Sequence, residues 1–60
     1  MKVLIIEDEH LAARRLQAIL TELDPAILVI TIIDSVEEAV DWFKLFPHPD
    51  LIFMDIMLAD

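Results

Sequence analysis

The 60-residue chain contains no glycine and no cysteine, and it has few aromatic residues and few basic ones. Each shortage excludes something. A chain without glycine cannot form a glycine-rich loop that cradles phosphate, so nucleotide-loop functions drop out. Without cysteine, neither a disulfide nor a thiolate metal site can support so small a core. Lys and Arg number 4 against 12 Asp and Glu, giving a formal charge of -8. That balance argues against nucleic acid or an anionic membrane as a direct partner, because both require a positive surface. It favours a metal cation. No apolar run approaches the ~20 residues needed to cross a bilayer, and the acids following Lys2 are unlike a signal peptide. A soluble cytoplasmic protein is the expectation. There is no internal repeat, low-complexity segment or linker.

What is present is aliphatic. The composition is 58% hydrophobic and 7% aromatic, mostly Ile, Leu, Val and Ala, which suits parallel strands buried on both faces and excludes disorder. A chain this short is at most one domain, at the size where burial only just offsets conformational entropy, so packing or partners must support it.

Val3 to Ile6 is a continuous apolar run that stops at Glu7-Asp8-Glu9, which predicts a buried strand. From Leu11 the period changes. Ala12, Leu16, Ile19, Leu20 and Leu23 fall on one face of a helix, with Arg14, Arg15, Gln17 and Glu22 opposite. Pro25 ends it, because the residue before a proline is pushed out of the helical region; Ile27 to Ile33 then gives a second strand. Ser35-Val36-Glu37-Glu38 is a capping box, and Val36, Ala39, Val40 and Phe43 form the stripe of a second helix. Trp42 lies outside that stripe, at its flank or at an interface. Phe46-Pro47-His48-Pro49 closes the helix, and Leu51 to Met54 is a third strand ending at Asp55.

The order βαβαβ predicts an α/β fold of flavodoxin-like type, with a parallel sheet in strand order 2-1-3 joined by right-handed crossovers. The functional crevice of such a sheet lies beyond the carboxyl ends of its strands. Glu7 and Asp8 follow strand one, and Asp55 follows strand three. Adjacent strands are ~4.8 Å apart, so these carboxylates can share an ion, and Mg2+ suits a few carboxylates with room left for water and phosphate oxygens. The competing reading is a solvated acidic rim, since acids are 12 of the 60 residues and an acid just after a strand is common.

The segment "KVLIIEDE", the helix opening "HLAARRL" and the strand "PDLIFMDIMLAD" together resemble the bacterial response-regulator receiver domain of two-component systems, over the whole chain. The resemblance implies that Asp8 and Asp55 coordinate Mg2+, that Glu7 holds it through water, and that the Met57 carbonyl supplies a further oxygen. Asp55 would accept a phosphoryl group from a sensor histidine kinase or a small acyl phosphate, making the chain a phosphoacceptor and not an enzyme. Glu7, where aspartate is commoner, and Ala59, where proline often stands, look like the LytTR-type subclass, whose output domain binds DNA.

A receiver of this family has five strands, and residues 1–60 would be its N-terminal half, truncated after the third. The Ser or Thr after the fourth strand and the Lys after the fifth, which contact the phosphoryl oxygens, have no counterpart; Lys44, in the second helix, is no substitute. Slow phosphorylation and poor switching are expected. The open, apolar edge of strand three predicts self-association, so a homo-oligomer is expected. Two rivals remain. One is a non-catalytic, self-associating α/β module with solvated acids. The other is a haloacid-dehalogenase-like phosphatase, which fits worse because Met57 stands where that chemistry needs a second Asp. His10 is expected at the surface where the first helix starts, and His48 in a loop. Arg14 and Arg15 are expected to form intrahelical pairs or to meet a signalling partner.

Overall fold

The computed structural model describes residues 1–56. Five elements follow one another: β1 (Lys2–Ile6), α1 (His10–Leu23), β2 (Leu28–Ile33), α2 (Val36–Leu45) and β3 (Leu51–Met54). The three strands form one parallel sheet in the order β2-β1-β3. The fold is therefore α/β with the flavodoxin-like half-sheet that the alternation of apolar periods predicts.

β1 is the centre of the molecule. Val3, Leu4, Ile5 and Ile6 are almost wholly buried, because strands flank them on both edges and helices cover both faces. Successive side chains point to opposite faces. Val3 and Ile5 accordingly pack with Ala13 and Leu20 of α1, while Leu4 and Ile6 pack with Ile33 and with Ala39 of α2. Full burial of each such side chain is worth about 1.5–3 kcal/mol.

Both helices end without glycine, and the cause lies in the sequence. Asp24 and Phe46 each precede a proline and are extended, at φ -152°, ψ 108° and φ -126°, ψ 155°, as proline requires of its predecessor. Their backbone N–H groups still donate to Leu20 and Trp42, at 3.1 and 3.0 Å, closing the last turns. No described residue has positive φ, so no position demands the residue type that the chain lacks.

Three features differ from the sequence reading. First, both helices are rotated by about 50–60°, taking 100° per residue. Helix α1 buries Ala13 and Leu20, with Leu16 half-buried; Ala12, Ile19 and Leu23 are exposed. Helix α2 buries Ala39 with Trp42 and Phe43 half-buried, and leaves Val36 and Val40 exposed. An alanine is among the buried residues of each helix, Ala13 in α1 and Ala39 in α2, with larger half-buried neighbours beside it. Trp42 is thus part of the second core cluster, with its ring edge-on to Phe43 at 5.3 Å and stacked on Phe46 at 5.2 Å. Second, β2 carries a bulge: Val3 aligns with Val29 but Leu4 with Thr31, leaving Ile30 as an extra residue. Third, of the two roles expected for Arg14 and Arg15, the intrahelical pairs do not form among the described residues. At the start of α1, the His10 Nε2 lies 3.4 Å from the Asp34 carboxylate.

Candidate metal centre

Hydrogen bonds to neighbouring strands fix where the acids stand. The Glu7 N–H donates to the Ile33 carbonyl at 2.8 Å, and the Asp55 N–H donates to the Ile6 carbonyl at 3.0 Å. Ile6 aligns with Met54, so Glu7 and Asp55 each lie one residue beyond a matched pair on adjacent strands. Asp50 sets the other end of this register: its N–H donates to the Lys2 carbonyl at 2.8 Å, and its carboxylate accepts from the Lys2 N–H at 2.7 Å.

Carboxylate oxygens of Glu7, Asp8 and Asp55 all lie within 4.8 Å of one another; Glu7 and Asp55 are half-buried and Asp8 is exposed. Three acids so placed repel. The Glu9 N–H donates to the Glu7 carboxylate at 3.0 Å and favours its charged form. Partial burial, the charge of Asp55, and hydrogen bonds with Asp8 and Asp55 outweigh that bond, and the Glu7 carboxyl is raised above its ordinary value. A site that raises a carboxyl in this way gains from a cation.

The spacing also discriminates among modes of binding. Two oxygens on one Mg2+ at about 2.1 Å are at most about 4.2 Å apart, whereas Ca2+ at about 2.5 Å spans about 5 Å. A spread of up to 4.8 Å accommodates either Ca2+ with three direct carboxylates or Mg2+ with one of the three reaching it through water. The donor set, all hard oxygen, is right for either ion. The carbonyl of Met57 and the side chain of Ala59 lie outside the described residues.

Glu9, the third acid of the run after β1, has a different task. It is the N-cap of α1, and its carboxylate accepts from the N–H groups of Leu11 at 3.2 Å and Ala12 at 2.7 Å. A cap made by Glu is unusual beside Ser, Thr, Asp and Asn, which is why the sequence pattern does not mark it. Asp34 is likewise unmarked, although it follows β2 as Glu7 follows β1 and Asp55 follows β3. Its carboxylate is bonded to Glu38 and to His10, and is lowered from its ordinary value by these two hydrogen bonds, with Glu38 raised in exchange. In the capping box, Ser35 accepts from the Glu38 N–H at 3.1 Å, as expected, but the Glu38 carboxylate is engaged with Asp34. His10 and His48 are both exposed, and neither belongs to the acidic group.

No helix is long and apolar enough to cross a membrane among the described residues. No family model, curated protein or solved structure matches the chain.

Proposed function

We propose that the chain is the N-terminal half of a response-regulator receiver domain, with Asp55 as phosphoryl acceptor and Mg2+ held by Asp8 and Asp55, with Glu7 acting through water. One observation supports this above the rest: three carboxylates converge at the carboxyl ends of two adjacent parallel strands. In the receiver family that the sequence resembles, the acceptor aspartate likewise follows the third strand.

Asp55 follows directly from a strand paired to β1, so its carboxylate is held by a backbone that does not have to rearrange on reaction. One of its oxygens attacks the phosphorus of a phosphohistidine on a sensor kinase. An O–P bond forms as the N–P bond breaks, and the electron pair leaves with the imidazole nitrogen, which takes a proton from solvent. Mg2+, if held there, would neutralise charge on the phosphoryl oxygens. Asp8 and Asp55 would hold the cation directly and Glu7 through water, and without it the charge of these acids keeps anions away. The acids lie on an open rim, which suits transfer from a histidine carried by another protein. On this reading the protein is a cytoplasmic phosphoacceptor without turnover of its own, and the LytTR-type resemblance would give its parent a DNA-binding output domain.

The test is exposure of the 60-residue chain to acetyl phosphate with Mg2+, followed by peptide mass mapping. A labile phosphate adduct at Asp55, lost in Asp55→Ala and without Mg2+, is expected. An adduct that persists in Asp55→Ala, or none at any time, would contradict the proposal.

A second reading is favoured by the β3 edge. Leu51, Ile52 and Met54 are 43%, 41% and 57% exposed on a strand whose outer edge is unpaired among the described residues. Such an edge is a template for a second copy, in which case the acids are a solvated rim on a self-associating α/β module.

A further inference from the structure

A groove of about 530 Å³ lies on the α2 face of the sheet, at the end opposite the acids. The β2 bulge shapes it. Regular alternation would send Ile30 and Thr31 to opposite faces, but the extra residue allows both to border the groove. Trp42 and Phe46, one helical turn apart, form another wall, their rings stacked at 5.2 Å with 30° between planes. Lys2 and His48 complete the rim, and no acid lines the groove. That is notable in a chain with 12 acids and only 4 Lys and Arg.

We propose that this groove binds a small planar aromatic carboxylate, its ring against Trp42 and Phe46 and its acid group towards the Lys2 ammonium. Size selects the class of ligand. The volume falls within the ~300–1,000 Å³ of small-molecule sites. Charge selects the sign, since Lys2 disfavours an aromatic cation, no carboxylate is in the lining, and the Asp50 carboxylate beside Lys2 is already engaged by the Lys2 backbone N–H at 2.7 Å. The flat, half-buried Trp42 gives area at little entropic cost, because the helix and the core behind it already hold the ring. Lys2 lies at the start of β1, and Glu7, Asp8 and Asp55 lie at the other ends of their strands, so the groove does not depend on the metal reading.

The test uses the single tryptophan. Cinnamate, and cinnamyl alcohol as its neutral counterpart, are titrated into the full 60-residue chain while the Trp42 indole N–H and the amides of Ile30 and Thr31 are followed by NMR. Saturable shifts with cinnamate are expected, with affinity about five- to tenfold weaker for the alcohol and for cinnamate with Lys2→Gln, as for loss of one charge-assisted contact in an open site. Lys2 is exposed, so the variant should fold; unchanged amide shifts at Ile5 and Leu20 check this. Equal binding of acid and alcohol would overturn the proposal, as would an unaffected Lys2→Gln or no saturable shift. Shifts accompanied by a rise in mass on light scattering would also overturn it, because a second copy would then be filling the groove.

Discussion

Glu7 and Glu9 are the same residue type two positions apart, and their surroundings give them different roles. Glu9 turns back onto the first N–H groups of α1, while Glu7 faces Asp8 and Asp55 and is raised by them. Because the folded-state carboxyl of Glu7 lies above its unfolded value, its contribution to stability is fully present below the unfolded pKa, near 4.5, and is lost as pH rises through the folded value. Metal-free protein is therefore expected to lose that contribution on going to neutral pH. Mg2+ must displace the Glu7 proton, so its affinity should fall as pH drops through the same range. Carboxyl-detected NMR titration checks both, and Asp55→Asn should move the Glu7 midpoint down by removing the opposing charge. An unmoved midpoint would mean that Asp55 does not act on Glu7. Asp34 behaves in the opposite sense: its carboxyl is lowered, so its contribution is present above its unfolded value and is lost on acidification.

At the scale of the element, the helices and strands were legible because the apolar period changes sharply and prolines mark the stops. The five elements stand where the sequence places them, and Pro25 and Pro47 act on Asp24 and Phe46 as steric reasoning requires. Helix phase was not legible to the same degree. An apolar stripe broad enough to include Ala12, Ala13, Ile19 and Leu20 can meet a sheet through either edge, and in the structure the edge with Ala13 and Leu20 turns inward. The β2 bulge left no mark either, since Ile27 to Ile33 is apolar at nearly every position and one extra residue does not disturb such a run. Of the site, the strand-end acids were readable from position; Glu9 as a cap and Asp34 as the partner of His10 were not, because both depend on contacts across the chain. Two predictions belong to this scale. Ser35→Ala removes the bond to the Glu38 N–H and should cost about 1 kcal/mol in urea unfolding; no change would mean that α2 is held by packing alone. Leu20→Ala, at the α1 contact with Val3 and Ile5, should cost about 2–4 kcal/mol, and a cost below that of the cap would place the core elsewhere.

At the scale of the molecule, a net charge of -8 sits on a small core, with large apolar side chains at the surface, among them Leu23 and Leu45, each 75% exposed. These two facts oppose each other. The charge keeps copies apart, and the apolar edges draw them together. Salt screens surface charge over about 10 Å at 0.1 M, so raising ionic strength should increase any association through β3. Light scattering at high concentration, with Ile52→Lys to place a charge on the edge, reads this directly: association that grows with salt and is reduced by the substitution is expected, and a monomer under all conditions would remove the self-association reading. A cation at the acid cluster relieves repulsion within each copy as well, and at a hundredfold excess over its Kd should add about 2.7 kcal/mol to stability.

The most direct test of the acid cluster as a metal centre is an Mg2+ titration of the chain followed through backbone amide shifts, with Asp55→Ala alongside. The expected result is saturable change confined to Glu7, Asp8 and the residues around Asp55, absent in the variant. Diffuse shifts of equal size in both proteins would show that the acids are a solvated rim and would contradict the metal centre on which the proposed function rests.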